Sequence, residues 1–239
     1  MSENRFNFKQ FTVQQNSCAM KVGTDGVLIG AWVSLEQNPL SILDIGAGTG
    51  LISLILAQRS HSEIIDAIEI DASAYEQCID NFEDSPWNDR LFCYHAPLEE
   101  FTKEINTKYD LIISNPPFYS NTFKSNNKQR DLARFRDALP FETLLECVSK
   151  LLSDTGRFAV IIPFKEEERF IKLASNFGLF AQKILQIKGN VKSVFIRSLI
   201  EFSFLKNDVI TKQLIIENER HLYTKDYINL TKDFYLNMP

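Results

Sequence analysis

The sequence predicts an α/β fold with a mostly parallel, doubly wound sheet, and two observations support this prediction. Up to Gly178, short apolar runs alternate with stretches of helical periodicity, which is the pattern of parallel strands joined by crossover helices. After Gly178, two long apolar-rich runs, 180–188 and 191–204, are separated only by Gly189 and Asn190, which predicts an antiparallel hairpin. The expected sheet therefore has seven strands and is closed by this antiparallel C-terminal pair.

The individual elements follow from the apolar runs and their boundaries. The other predicted strands are residues 41–45, 63–70, 91–94, 109–114 and 157–163. The predicted helices are 25–34, with Thr24 as its cap, 51–57, 72–82, 97–102, 141–152 and 165–177. Residues 212–239 predict a peripheral strand and a short helix. No repeat or linker divides the chain, so we expect a single domain over 1–239 with a C-terminal extension (about 209–239).

Composition and residue spacing narrow the protein class. Of the 239 residues, 44% are hydrophobic and 24% are charged, as in a soluble globular protein. The longest apolar stretches, such as 158–163, are far too short to span a bilayer, and the first ten residues lack a signal-peptide core. The four cysteines have no paired spacing and the three histidines are scattered. We therefore expect a cytoplasmic, metal-free monomer without a membrane partner.

The net charge of -5 argues against indiscriminate binding to phosphates, so a nucleic-acid ligand requires a local basic patch. One candidate surrounds a single acid, Asp131, and consists of Lys124, Lys128, Arg130, Arg134 and Arg136. A second candidate is opposed by Glu201 and consists of Lys183, Lys188, Lys192, Arg197 and Lys206. Either set is also consistent with an ordinary solvated face.

A glycine turn is the first chemical feature. The strand 41–45 is followed by Gly46, Gly48 and Gly50, which let the backbone approach a ligand at the start of the next helix. The spacing is DxGxGxG rather than the GxGxxG of dinucleotide enzymes, and Asp44 precedes the first glycine by two residues. A carboxylate at this point can hold the ammonium of a methionine group, so the pattern favours S-adenosylmethionine (AdoMet) over NAD.

An acidic residue follows the second strand. Glu69 lies about twenty residues beyond the glycines, where a carboxylate can accept hydrogen bonds from both hydroxyls of a ribose. Asp71 is the nearby substitute for this role. In the alternative interpretation, Glu69 only caps the helix that follows.

The second chemical feature is Ser-Asn-Pro-Pro-Phe at 114–118, directly after the strand 109–114, where open parallel sheets bind their ligands. The prolines lack N–H groups, which leaves the loop carbonyls available to a ligand. The side-chain oxygen of Asn115 and the carbonyl of Pro116 can accept both hydrogens of an exocyclic amine and make its nitrogen more nucleophilic. Pro117 stiffens the loop, and Phe118 can stack on a flipped base. The alternative is a plain strand-to-helix connector.

Together these residues resemble the bacterial tRNA(Val) adenine-37 N6-methyltransferases, which are class I AdoMet-dependent methyltransferases with a Rossmann-like fold. The likeness runs nearly end to end. Its most specific motifs are FKQF at 8–11, AMKVGTDG at 19–26, GAW at 30–32, LDIGAG at 43–48, SPW at 85–87 and IISNPP at 112–117.

The resemblance implies methylation of the adenine 3′ of the anticodon of a valine tRNA, with AdoMet as donor and tRNA as partner. It also implies an N-terminal lid (about 1–35) whose residues 21–26 approach the methionine part of the cofactor. After the catalytic loop, it implies that Gln129, Arg130 and Arg134 are directed toward RNA. The expected cofactor-binding residues are Lys21, Thr24, Asp25, Gly26, Asp44, Gly46, Gly48, Gly50, Glu69, Ile70, Ala96, Pro97 and Asn115.

Two positions depart from the family pattern. Phe118 stands where the likeness leads us to expect tyrosine, which keeps the ring face and loses a hydroxyl. Pro97 stands where such enzymes often carry an acid that accepts a hydrogen bond from the cofactor adenine. Apolar contacts, the Ala96 backbone or Glu99 are the alternatives for holding that ring.

We expect in-line transfer to the amine without a covalent intermediate or a dedicated general base. Three other functions stay open at this point. They are guanine N2 methylation in ribosomal RNA, methylation of a protein glutamine, and RNA binding without catalysis.

Overall fold

The computed structural model describes residues 4–18, 21–117 and 139–238. Within these ranges the chain forms eleven strands: β1 (Arg5–Asn7), β2 (Thr12–Gln14), β3 (Ser41–Ile45), β4 (Ile64–Glu69), β5 (Leu91–His95), β6 (Tyr109–Ser114), β7 (Leu152–Pro163), β8 (Phe180–Asn190), β9 (Phe195–Ser203), β10 (Ile210–Glu219) and β11 (Leu222–Tyr223). The helices in the same ranges are α1 (Thr24–Trp32), α2 (Leu51–Arg59), α3 (Ala72–Glu83), α4 (Leu98–Glu104), α5 (Phe141–Leu151), α6 (Glu167–Ser175) and α7 (Lys225–Thr231), with a short 3-10 turn at Phe164–Glu166.

The central sheet of the described residues has nine strands in the order β11-β10-β8-β9-β7-β6-β3-β4-β5. Strands β5, β4, β3, β6 and β7 are parallel, whereas β9 is antiparallel to both β7 and β8. The predicted α/β fold with a parallel sheet and a closing antiparallel pair is confirmed. The carboxyl ends of β3, β4, β5 and β6 consequently share one edge, where ligands of such sheets bind.

The expected count of seven strands is wrong for the described residues, because the C-terminal extension joins the sheet. Strand β10 pairs in parallel with β8, from Ile210 opposite Lys183 to Glu217 opposite Asn190, and β11 folds back on β10. This pairing covers backbone groups of β8 that would otherwise form an open sheet edge. The strand and short helix predicted in 212–239 are present as β10 and α7.

The hairpin turn and the start of helix α1 differ from the prediction. Gly189 and Asn190 end strand β8, and the turn lies at 191–194, because the Asn190 side chain accepts hydrogen bonds from the backbone N–H groups of Lys192 and Ser193, each at 3.0 Å. Helix α1 begins at Thr24 itself, its cap residue is Gly23, and no side chain caps it.

Helices cover both faces of the sheet. Neighbouring residues of one strand alternate between two hydrophobic clusters: Ile113 packs with α1 and α2, and Ile112 packs with α5 and α6. Helices α1 and α2 approach closely at Gly30, where an added Cβ would lie 2.9 Å from Ile55 Cγ2. None of the helices in the described part of the chain is long and apolar enough to cross a membrane.

Candidate cofactor and substrate site

The glycine turn after β3 opens onto free space. Gly46 and Gly48 have φ angles of 75° and 56°, which residues with a Cβ rarely adopt. A Cβ added to either would meet no atom of the described residues within 4 Å. The backbone N–H of Gly46 donates to Ile68 O at 2.9 Å, and that of Gly48 donates to Glu69 Oε2 at 2.8 Å. The turn is therefore fixed to the end of β4 on one side and open to a ligand on the other.

Gly50 serves packing instead. Its φ is 77°, and a Cβ at this position would lie 2.5 Å from Phe82 Cε1 and 2.9 Å from Cys78 Sγ. Gly50 therefore allows α2 to start directly against α3.

Glu69 is buried at the end of β4 and is held by the backbone. Its Oε2 accepts from Gly48, and its Oε1 accepts from the N–H groups of Ile70 and Asp71 at 2.8 and 2.9 Å. The cap of helix α3 is Asp71, whose Oδ1 accepts from the Ala74 N–H at 2.8 Å. The interpretation of Glu69 as the cap of that helix is therefore wrong.

Asp44 lies behind the glycine turn with no solvent-exposed surface. Its Oδ2 accepts from the Ser53 N–H at 3.2 Å and from Ser53 Oγ at 2.8 Å, which ties β3 to the first turns of α2. Its Oδ1 has no hydrogen-bond partner among the described residues. Burial raises the pKa of this carboxyl from 3.8 to about 7, although the two bonds from Ser53 oppose the shift.

A cavity of about 440 Å³ lies in front of the turn. Seven of the residues predicted to bind the cofactor line it: Lys21, Thr24, Asp25, Gly26, Gly46, Gly48 and Asn115. The structure thus brings the N-terminal segment, the glycine turn and the Asn-Pro-Pro loop to one cavity.

The loop after β6 presents Asn115 to this cavity. The preceding residue, Ser114, is buried, and its Oγ donates to Ile45 O at 2.9 Å, so the end of β6 is fixed to the end of β3. Pro116 is buried and Pro117 is half-buried. The Asn115 side chain is half-buried and has no hydrogen bond to a described residue, which leaves its amide available to a ligand.

Ile70, Ala96 and Pro97 lie beside this cavity rather than in its wall. The Ala96 N–H donates to Glu69 O at 3.2 Å, and Pro97 is the cap residue of α4. Ile70 is 55% exposed. They form a shelf at the carboxyl ends of β4 and β5, next to Glu69.

The cavity also has walls that the sequence analysis did not assign to it. They come from the C-terminal strands and consist of Ile187, Ile196, Arg197 and Ile216. Arg197 Nε lies 2.7 Å from Asp25 Oδ2, so β9 and the first turn of α1 are joined at the cavity. The sequence could not show that these strand residues line the cavity, because their position there depends on the order of the strands in the sheet.

The remaining predicted site residues lie outside the described residues. They are Phe118, Lys124, Lys128, Gln129, Arg130, Arg134 and Arg136. Within the described ranges, no group of three or more His, Cys, Asp or Glu residues is placed to hold a metal ion.

The chain is similar in sequence to a methyltransferase family model and to several named proteins. A family model described as methyltransferase small domain matches residues 31–139. A protein of Flavobacterium psychrophilum is 60% identical over 98% of this chain and 100% of its own length. One of Christiangramia forsetii is 54% identical over all of both chains, and one of Bacteroides fragilis is 44% identical over all of both. All three are named tRNA1(Val) (adenine(37)-N6)-methyltransferase.

Solved structures agree on the fold. A predicted O-methyltransferase from Agrobacterium tumefaciens superimposes with a TM-score of 0.69 at 17% identity, covering 88% of this chain and 96% of that one. P. horikoshii TYW2 in complex with MeSAdo superimposes with a TM-score of 0.57 at 14% identity, covering 85% and 73%. These likenesses show the class I methyltransferase fold.

Proposed function

The chain belongs to the tRNA1(Val) (adenine(37)-N6)-methyltransferase family, and from this premise we propose that it methylates the N6 amine of adenine 37 in a valine tRNA with AdoMet as donor. One observation carries the assignment of the site. Asn115, at the carboxyl end of β6, lines the same cavity as the open glycines Gly46 and Gly48. A side chain that can accept a hydrogen bond from an amine and a turn that can hold a cofactor therefore line one cavity.

The residues present fit AdoMet. Gly46 and Gly48 carry no side chain and face open space among the described residues, so a ligand can reach the backbone of the turn. Asp44 keeps one buried oxygen without a partner among the described residues, which fits a contact to the methionine ammonium, directly or through a small shift of the turn. Glu69 would accept from the ribose with the lone pairs that its three backbone bonds leave open.

Other residues would complete the cofactor site. The N-terminal segment would enclose the methionine end of AdoMet, because four of its residues line the cavity beside the turn: Lys21, Thr24, Asp25 and Gly26. The shelf of Ile70, Ala96 and Pro97 would support the adenine ring by apolar and backbone contacts. Gly50 would contribute indirectly, by fixing the start of α2 against α3.

When bound, AdoMet supplies a methyl group activated by the adjacent sulfonium. The chain's own task is to hold the target amine. Asn115 Oδ1 and the Pro116 carbonyl would each accept one amine hydrogen, which keeps the nitrogen lone pair directed at the donor. Pro117 stiffens the loop and Phe118 would stack on the adenine. The proton leaves to water, so no side chain needs to act as general base.

We further propose that the basic residues Lys124, Lys128, Arg130, Arg134 and Arg136 contact the tRNA. These five cations surround one acid and directly follow the Asn-Pro-Pro-Phe loop in the sequence. They provide the local basic patch that a protein of negative net charge needs to bind phosphates. We expect the enzyme to act in the cytoplasm as a monomer.

The test is methyl transfer from labelled AdoMet to bulk tRNA, followed by nucleoside analysis. Wild type is expected to produce N6-methyladenosine, and Asn115→Ala is expected to lose turnover by at least a hundredfold while it still binds AdoMet in calorimetry. Asn106→Ala, in an exposed loop between α4 and β6, is the matched control. Wild-type turnover in Asn115→Ala would exclude the acceptor mechanism, and label in ribosomal RNA or protein instead of tRNA would exclude the substrate.

A further inference from the structure

The tip of the β8–β9 hairpin forms a second part of the cavity rim. We propose that this tip, residues 187–197, is a docking surface for the backbone of the anticodon arm of the tRNA. The inference rests on the proposed function, because it assumes an RNA substrate. Its first support is continuity with the site. Ile187, Ile196 and Arg197 line the same cavity as Asn115, so an RNA that delivers a base to Asn115 passes this hairpin.

The charge of the tip matches a polyanion. Residues 187–197 contain Lys188, Lys192 and Arg197 and neither Asp nor Glu, although the whole chain has a net charge of -5. Arg197 is engaged with Asp25 at the cavity. The Lys192 side chain has no hydrogen bond or ion pair with any described residue and is exposed. Lys188 and Lys192 are therefore the cations that the tip offers to phosphates.

Lys188 is held at the surface by aromatic rings. Its Nζ lies 4.6 Å from the centre of the Phe195 ring, which attracts a cation by its negative face. Phe195 packs in turn on Phe164, with ring centres 5.1 Å apart. The ammonium of Lys188 is thus positioned beside an aromatic surface at the carboxyl edge of the sheet.

Apolar side chains of the tip are exposed next to these cations. Val191, Val194 and Ile196 have 57%, 78% and 42% of their surface exposed. RNA offers phosphates to the lysines, and ribose and base faces to the apolar side chains. The neighbouring strand β10 places Glu217 opposite Asn190, so the basic surface ends at that side of the hairpin.

Hydrogen bonds among its own residues hold the turn at the tip. Asn190 Oδ1 accepts from the N–H groups of Lys192 and Ser193, the Asn190 N–H donates to Ser193 Oγ at 3.0 Å, and Ser193 Oγ donates to Asn190 O at 2.9 Å. A preformed turn loses little conformational entropy on binding. The surface therefore has the rigidity of a docking site.

The test compares two double variants of equal charge change. Lys188→Gln/Lys192→Gln alters the tip. Lys103→Gln/Lys172→Gln alters exposed lysines in the last turns of α4 and α6, at the opposite edge of the sheet. Equilibrium binding of an anticodon stem-loop transcript is measured at several salt concentrations, with AdoMet affinity and the melting temperature as controls for folding.

The tip variant is expected to bind RNA roughly tenfold more weakly at low salt. The slope of log affinity against log salt should become shallower by about 1.4 to 1.8, since each phosphate contact contributes roughly 0.7 to 0.9. Lys192→Gln alone should give about half of this change, because it removes one of the two lysines that contact phosphates. The control variant should match wild type.

Unchanged RNA affinity and salt slope in the tip variant would overturn the inference, and so would an equal loss in the control variant. A defect with full-length tRNA but none with the stem-loop would also overturn it, because the contact would then lie outside the anticodon arm. The proposed function is judged separately, by methyl transfer with the wild-type enzyme.

Discussion

The three glycines of the turn after β3 share a left-handed backbone but face different surroundings. Gly46 and Gly48 face open space, whereas Gly50 faces Phe82 and Cys78. The sequence spacing predicted that all three belong to a cofactor turn. It could not separate their roles, because Phe82 meets Gly50 only after α3 has packed. The different roles of Gly48 and Gly50 can be tested by mutation.

Gly48→Ala and Gly50→Ala should fail in different ways. Both place a Cβ at positive φ, which costs about 1 to 2 kcal/mol. Gly50→Ala adds a clash with Phe82 Cε1 at 2.5 Å, and overpacking costs a further 1 to 3 kcal/mol or so. Gly50→Ala is therefore expected to lose more stability than Gly48→Ala in urea unfolding. Gly48→Ala should remain folded and lose AdoMet affinity, because its Cβ enters the cavity.

Equal losses of stability in the two variants, with AdoMet affinity retained in Gly48→Ala, would contradict this division of roles. Gly189→Ala is the control. A Cβ there meets only Ser193 Oγ, at 3.8 Å.

Asp44 combines full burial with an unsatisfied oxygen, which makes it a stability cost in the absence of ligand. Its folded pKa is about 7 and its ordinary value is 3.8. Between these values the folded protein holds a proton that the unfolded chain releases, so the contribution of Asp44 to stability falls as pH rises from about 4 to 7 and is lowest above 7.

Asp44→Asn should remove this pH dependence, because the amide stays neutral and its oxygen still accepts from Ser53. Relative to wild type, the free energy of unfolding of the variant without ligand is expected to increase from pH 5 to pH 8. Urea titrations of both proteins at the two pH values measure it. AdoMet affinity should fall in the same variant if Asp44 meets the ammonium. An unchanged difference between the proteins at the two pH values would show that Asp44 is ionised throughout.

At the scale of elements, most strands and helices between residues 24 and 177 could be predicted within a few residues, because their apolar runs are bounded by glycine, proline or polar residues. Three features of the elements could not be predicted from the sequence. Strands β1 and β2 have three residues each, too few to show a period. Strand β7 starts at Leu152, where the helical pattern of 141–152 continues without a break. Ile187 and Ile216 reach the cavity only because β10 pairs with β8.

The Asp25–Arg197 ion pair links two such elements. Its side chains are about 30% exposed (28% and 31%), so solvent weakens its effect on global stability. Its position is more informative, because it joins the first turn of α1 to β9 at the cavity. The pair should therefore act mainly on ligand affinity.

A double-mutant cycle with Asp25→Asn and Arg197→Gln measures this link. Each single variant is expected to weaken AdoMet binding several-fold, and the double variant should be little worse than either, since both changes break one interaction. Melting temperatures should shift by only a few degrees. Fully additive losses in calorimetry would show that the two residues act separately on the ligand.

At the scale of the whole molecule, the C-terminal segment belongs to the core. Leu214, Tyr227 and Phe234 are at least 95% buried and pack in the same cluster as α1 and α2. The N-terminal segment meets it there: Phe8 bridges to Tyr235, and the Lys9 N–H donates to Phe234 O at 2.8 Å. A peripheral strand and helix were predictable, but this joining of distant segments was not, because no local pattern encodes it.

Deletion of residues 209–239 is expected to abolish stable folding. Burial of each of these large apolar side chains contributes roughly 1.5 to 3 kcal/mol, and their sum approaches the whole stability of a typical domain, about 5 to 15 kcal/mol. Phe234→Ala should fold but lose about 3 to 5 kcal/mol. Thermal unfolding followed by circular dichroism measures both. A truncated chain with a wild-type melting temperature would mean that 209–239 is a dispensable appendage.

The contact between Phe8 and Tyr235 also sets an order of events during translation. The hairpin of β1 and β2 is made first, yet its partner leaves the ribosome among the last of the described residues. Domains generally fold as units, so the N-terminal hairpin can pack only after Phe234 and Tyr235 have left the ribosome. The segment that lines the cavity at residues 21–26 follows this hairpin directly. A nascent chain stalled before Tyr235 would therefore lack the contacts that hold this segment in place, and we expect it not to bind AdoMet.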